Sequence, residues 1–332
     1  MKRFIAEFEE QSFTQIIFPH KGTDWVEYLT QAEEVFINII KAIALYQKCF
    51  IICADITYVK SLFSSHDNLY FAEHETDDTW ARDCSALSVE IDGEVTLLDF
   101  TFNAWGNKFE SSKDNNLSLA MQNIYLKDLK PVNFVLEGGA VESNGEGVIL
   151  TTSACLLNKN RNPSLDSIQI TKKLVQTLGS YKIHYLQHGY LAGDDTDSHI
   201  DTLARFISED TIMYIKCEDT EDEHYQELQL MEKELQSIAK DENFTLIALP
   251  FASPIYNDSQ RLPATYANFL FVNGAVLVPV YNIKEDETAL EVFKNTFINH
   301  EIIPIDCSTL IKQHGSLHCV TMNFPRDVRL LI

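Results

Sequence analysis

Three apolar runs in this chain each carry a turn dipeptide at the centre, and that pattern limits the folds open to it. ALSVEIDGEVTLLDF holds Asp92-Gly93, AVESNGEGVILTT holds Asn144-Gly145 and NFLFVNGAVLVPV holds Asn273-Gly274. Such pairs between β-prone runs predict tight hairpins, because both central residues of a type I′ turn need positive φ. A fourth run, TLARFISEDTIMYI, breaks at Ser208 to Asp210 without a glycine and predicts a looser hairpin.

Each hairpin is followed by a helix-like segment and a short apolar run. EHYQELQLMEKELQSIAK places Leu228, Met231, Leu235 and Ile238 on one helical stripe, and FTLIAL follows as a strand. The same order recurs in NLSLAMQNIY with VNFVLE, SIQITKKLVQTL with KIHYLQ, and TALEVFKNTF with EIIPID. The turns repeat every 50 to 65 residues or so, the mark of an internal repeat. A fifth unit is split: SLHCVTMNF and FTQIIFP supply its hairpin, DWVEYLTQAEEVFINIIKAIALYQ its helix and CFIICA its last strand. A unit completed from both ends of the chain predicts a ring, hence one closed α/β domain of five similar modules over 1–332.

Composition removes several functions. The formal net charge is −23 and no Lys/Arg cluster is present, which argues against nucleic acid; such a field would attract a small cationic ligand, and acidity for solubility alone accounts for it equally. No apolar run is long enough for a membrane span, and MKRFIAEFEE lacks the apolar stretch of a secretory signal, so a cytoplasmic location is expected. The seven cysteines are scattered without a CxxC pair, against a disulfide scaffold or a cysteine-rich zinc site. Cys49 and Cys53, in CFIICA, read as buried strand residues.

Four segments are more polar and glycine-rich than packing requires: DDTWARDCS (77–85), LEGGAVES (136–143), GDDTDSHID (193–201) and GSLHC (315–319). Three lie at hairpin starts and the fourth opens the closing strand, so modules set around an axis would bring them together. On a strand, His199 and Asp201 would share one face, an acid/base group beside a fixed carboxylate. Asp83 and Glu137 add two more carboxylates. Several buried carboxylates need a cation, and a guanidinium binds them bidentately. Cys319 is a nucleophile, a metal ligand or a small buried hydrophobe. GDDTDSH has the aspartate density of a calcium loop but not its spacing; His199, Asp201 and Cys319 would make a mixed zinc set.

DTWARD, LEGGAVESNGEGVILTT, CLLNKNRNP, GDDTDSHIDTLARF, RLPATYANF and LHC together resemble the agmatine deiminase family of the pentein, or guanidine-modifying, superfamily. The likeness runs from about residue 16 to 325, in family order; the bacterial-type peptidyl-arginine deiminases are a related branch. It implies a five-module α/β propeller with pseudo-fivefold symmetry, a single catalytic domain over 1–332. It implies Cys319 as nucleophile, His199 as general acid/base, Asp83 and Asp201 as the guanidinium clamp, and Glu137 as the residue orienting His199. Trp80 and Trp105 would wall the substrate's aliphatic chain, and Asp195 would anchor its distal amine. No metal or organic cofactor is implied. The implied partner is agmatine, hydrolysed to N-carbamoylputrescine and ammonia in polyamine metabolism; assembly into a homo-oligomer is left open.

Two alternatives stand beside it. One is deimination of free or C-terminal peptidyl arginine, with Arg82 or Arg261 receiving the carboxylate; the other is a pentein that only binds a guanidine or polyamine. The chain departs from the family pattern at Asp77, at Gln313-His314-Gly315-Ser316-Leu317 where glycines are usual, and at Ser198 where glycine is usual.

Overall fold

The computed structural model describes residues 2–332. Five units of the expected order recur, each an antiparallel hairpin whose second strand pairs in parallel with a third strand. The first joins Leu87–Ile91, Glu94–Thr101 and Leu129–Val135. The second joins Val141–Ser143, Val148–Thr152 and Lys182–Leu186. The third joins Ala204–Ser208, Thr211–Lys216 and Thr245–Pro250, and the fourth Leu270–Val272, Ala275–Val280 and Glu301–Asp306. The fifth is the split unit: Thr321–Pro325 pairs antiparallel with Gln11–Ile17, which pairs in parallel with Lys48–Cys53.

The sheets are separate and none closes on itself. Two extend beyond the expected pattern. Lys2–Phe4 adds to the outer edge of the first, antiparallel to Leu87–Ile91, and Leu69–Glu73 adds in parallel to Lys48–Cys53.

Helices carry the connections. In Tyr225–Glu242, Leu228, Met231 and Leu235 are buried and Ile238 packs partly buried beside them, as the stripe predicts. Leu29–Ala44 buries Phe36, Ile39, Ile40 and Ile43 on one face. The expected NLSLAMQNIY helix shrinks to Leu117–Met121 behind a 3-10 turn at Asp114–Asn116. Asp114 spends its carboxylate on the backbone N–H groups of Asp77 and Asp78, so this segment serves a loop instead of extending a helix.

The hairpin turns differ in detail from the sequence expectation. Asp92 (φ 53°) and Gly93 (φ 87°) both take positive φ. In the other two pairs only the glycine does. Asn144 instead uses its side-chain oxygen to accept from the N–H groups of Glu146 and Val148. Asn273 trades two hydrogen bonds with the Gln11 backbone, tying the fourth unit to the fifth.

All seven cysteines are free and buried, Cys49 and Cys53 on the strand expected for them. Among the described residues no helix is long and apolar enough to cross a membrane.

Candidate active site

The four polar segments meet. Asp83 sits on a single helical turn, Ala81–Cys84, and the N–H of its neighbour Arg82 donates to the carbonyl of Cys319 (3.1 Å). Asp83 Oδ1 accepts the N–H of Gly139 and its Oδ2 accepts the indole N–H of Trp105, both at 2.9 Å. Glycine is required at 139: a Cβ there would stand 2.7 Å from His199 Nδ1 and 3.0 Å from carboxylate oxygens of both Asp83 and Asp201. Close approach of these three side chains to one backbone atom is what the glycine permits.

His199 and Asp201 are not on a strand. The strand begins only at Ala204; Ile200–Thr202 is a 3-10 turn with His199 at its N-cap, entered through Asp197 (φ 66°) and Ser198 (φ 65°). Asp194 shapes this loop by accepting the N–H of Ser198 (2.7 Å) and the hydroxyl of Thr196 (2.6 Å). The two side chains still converge, through the tight turn instead of the two-residue strand period.

Asp201 Oδ2 takes hydrogen bonds from His318 (2.7 Å) and Asn268 (3.3 Å), while Oδ1 is buried without a partner. His199 Nε2 is likewise buried and unpartnered. Asp201 Oδ1 is poised for a ligand, since buried polar groups are otherwise nearly always paired, whereas the His199 imidazole also lies against Cys155. His318 spans Asp201 and Glu7 (2.6 Å), and Glu7 in turn meets Arg205 (2.8 Å) and Arg82 (3.5 Å).

Glu137 is fully buried, and both its oxygens accept from Nε of Arg161 (2.9 and 3.0 Å). Arg161 continues to Asp197 (2.7 Å) and the Thr196 carbonyl (2.8 Å), so it braces the loop that presents His199. Glu137 reaches His199 as a charge, in a cluster with Cys155 whose ligand atoms lie within 4.8 Å of one another.

Charge separates the groups. Burial pushes the Asp83 carboxyl up, assisted by Asp201 and Glu137 and opposed by His199. Burial also works against ionised Asp201, but His318, then His199 and Arg205, hold it below the usual carboxylate range. For His199, burial would lower the pKa; Asp83, Cys155 and Glu137 outweigh it and raise it to about 10. Burial, then Asp201 and Asp83, push the Cys319 thiol well above its ordinary value. Both directions favour the protonated form, an imidazolium beside a neutral thiol.

Cys319, Asp83, Trp80, Trp105 and Asp195 line one cavity of about 410 Å3. His199, Asp201 and Glu137 are buried and are not among its lining residues. Seven carboxyl side chains face the cavity and, among the described residues lining it, there is neither lysine nor arginine. Trp80 and Trp105 stand edge to face with centroids 6.5 Å apart. Trp80 donates to Asp78 (2.8 Å) and presses on Gly315, where a Cβ would come within 2.1 Å of the indole. Trp105 lies in a left-handed turn, Ala104 to Asn107, with every φ positive. Asp195 is partly exposed, 3.9 Å from His314.

The unusual loop residues are accommodated: His314 takes φ 66° and bonds the Gly193 carbonyl at 2.7 Å. The zinc set His199, Asp201 and Cys319 is not among the metal-spaced trios of the described residues; those are Glu137–Cys155–His199 and Glu7–Glu142–His318. Each of the two is already tied to an arginine, Arg161 or Arg205. Arg161, Asn268, Arg205 and His318 were given no role from sequence, although all lie in segments that carry the family resemblance.

Fold and centre together define a mixed α/β protein that matches pentein structures. The chain belongs to the Porphyromonas-type peptidyl-arginine deiminase family, whose sequence model matches residues 3–325. It is 28% identical to the agmatine deiminase of Stutzerimonas stutzeri, over 96% of this chain and 94% of that one. It is 42% identical to the C. jejuni agmatine deiminase solved with substrate bound in a cysteine-to-serine variant, with a TM-score of 0.93 over 98% and 96% of the two chains. A Porphyromonas gingivalis structure provisionally named an arginine deiminase is 43% identical, with a TM-score of 0.95 over 99% and 100%.

Proposed function

We propose that this protein hydrolyses the guanidinium of agmatine to N-carbamoylputrescine and ammonia. The observation that carries the choice of substrate is the cavity, walled by seven carboxyl side chains, without a lysine or arginine among its described lining, and reaching Cys319. A doubly cationic substrate suits that wall; the carboxylate of arginine does not. The two residues considered for an arginine carboxylate are engaged elsewhere. Arg82 is buried against Asn323 and Glu7, and Arg261 pairs with Asp222 and Glu223; neither lines the cavity.

In the reaction, Asp83 and Asp201 hold the guanidinium, Asp201 through its free Oδ1. The arriving cation offsets the carboxylate field on Cys319, and the thiol proton leaves to solvent. The thiolate adds to the central carbon. His199, already an imidazolium, protonates one amino group, which departs as ammonia and leaves a thiouronium on sulfur. Neutral His199 then takes a proton from water as the hydroxide adds to the same carbon. Collapse releases the ureido product, and the thiolate takes up the hydroxyl proton, which restores the resting thiol. Glu137, fixed by Arg161, supports the imidazolium. Trp80 and Trp105 flank the aliphatic chain, and Asp195 receives the distal ammonium.

The five hairpin–helix–strand units and the pairing of Thr321–Pro325 with Gln11–Ile17 support a five-module arrangement about a pseudo-fivefold axis, acting as one domain over 1–332. Seven free thiols fit a cytoplasmic location.

Ammonia release from agmatine, free arginine and a peptide ending in arginine tests the reading. Agmatine should have a kcat/KM at least a hundredfold above the others. Equal or better turnover of arginine would replace agmatine as the substrate; turnover of none would leave a binding protein.

A further inference from the structure

Asn268 occupies a position that the reaction described above does not use. It is completely buried, two residues before the strand Leu270–Val272, in the fourth unit. Its side-chain oxygen accepts the backbone N–H of His318 (2.8 Å) and of Cys319 (3.4 Å), and Cys319 Sγ lies 3.4 Å from the same oxygen. Those two N–H donors fix which end of the amide is oxygen. The amide nitrogen therefore faces Asp201, 3.3 Å from Oδ2 and 3.4 Å from the backbone carbonyl.

We infer that Asn268 is a positioning residue that locks the nucleophile loop to the guanidinium clamp, setting the distance between the attacking sulfur and the carbon Asp201 holds. The inference rests on the deiminase reading above. It follows from what an amide offers: an acceptor and two donors on one rigid plane. Asp201 belongs to the third unit, Asn268 to the fourth and Cys319 to the loop entering the fifth, so one side chain spans three units. By occupying Asp201 Oδ2 together with His318, it also leaves Oδ1 as the oxygen free for substrate. Small errors in such geometry cost large factors in rate, because attack requires reacting atoms about 3–3.5 Å apart in line.

The test compares wild type with N268D and N268A, using agmatine turnover normalised to the sites that 2-chloroacetamidine titrates. N268A should lose at least thirtyfold in kcat/KM at every pH. In N268D the new carboxyl keeps the acceptor, and only its protonated form can donate to Asp201. Its deficit should therefore shrink below tenfold at pH 6 and exceed fiftyfold at pH 8. A residue that merely fills space would not shift the pH profile per titrated site. Values within threefold of wild type for N268A, or for N268D at pH 8, overturn the inference, as does an N268D deficit independent of pH. Failure of both variants to fold assigns Asn268 to the core and also overturns it. An inactive wild type removes the deiminase reading and this one together, whereas an active wild type with unaffected variants removes this one alone.

Discussion

Trp105 donates its indole N–H to Oδ2 of Asp83 at 2.9 Å, so a wall of the cavity also sets the angle of the Asp83 carboxyl group. The backbone pays conformational strain for it. Ala104, Trp105, Gly106 and Asn107 all have positive φ, at a cost on the order of 1 kcal/mol for each non-glycine residue. Strain concentrated at a binding centre is often what pre-organises it.

Trp105→Phe keeps the apolar wall and removes the donor. Losing a hydrogen bond to a charged group is worth roughly 1.5–3 kcal/mol, so kcat/KM for agmatine should fall about ten- to hundredfold. Steady-state kinetics check this; an unchanged kcat/KM would free Asp83 from dependence on the indole.

Cys319→Ala should abolish turnover while agmatine still binds, measured by calorimetry. Haloacetamidine should add one adduct to wild type, mapped by peptide mass spectrometry to residue 319. EDTA should leave the rate unchanged, because no step in the proposed reaction runs through a metal.

Substrate affinity should strengthen with pH. Burial, with Asp24 and Asp114, raises Asp78 to about 8; burial, with Asp77, raises Asp114 to about 7. Both are acids facing the cavity, so they are largely neutral at pH 6 and become anionic as pH passes 7 and 8. The KM for a dication should therefore fall from pH 6 to pH 9. A flat KM across that window would mean that neither group faces the substrate.

Ser198→Gly should stabilise the protein by roughly 0.5–1 kcal/mol at little cost in activity. Ser198 holds φ 65°, where a Cβ is strained, and the loop is held by its backbone N–H on Asp194. Thermal denaturation measures the shift, and a lowered midpoint would assign the serine side chain a bond of its own.

Arg161→Met should destabilise by about 3–5 kcal/mol, because Glu137 would be left buried without its partner. Denaturant titration reads the loss.

Much of the architecture was legible in the sequence because Asp92-Gly93, Asn144-Gly145 and Asn273-Gly274 punctuate it and Leu228, Met231 and Leu235 show a clean helical period. The turn geometry was not: Asn144 and Asn273 reach their hairpins through side-chain bonds to residues that periodicity does not name. In the centre, the cavity gathers Cys319, Asp83, Trp80 and Asp195 from three of the polar segments, with Trp105 from outside them. His199 and Asp201 converge for a reason other than strand alternation, since positive φ at Asp197 and Ser198 cannot be read from a hydrophobic pattern. Arg161, Asn268 and His318 act through partners far away in sequence, so nothing local marks them.

The pairing of residue 16 with residue 321 has a consequence for biosynthesis. On the ribosome, the strand Gln11–Ile17 lacks its antiparallel neighbour until Thr321–Pro325 has been made. The sulfur is added just before that final strand. Until then the cavity lacks its cysteine wall, and Gln11–Ile17 carries an unpaired strand edge of the kind that templates association between chains.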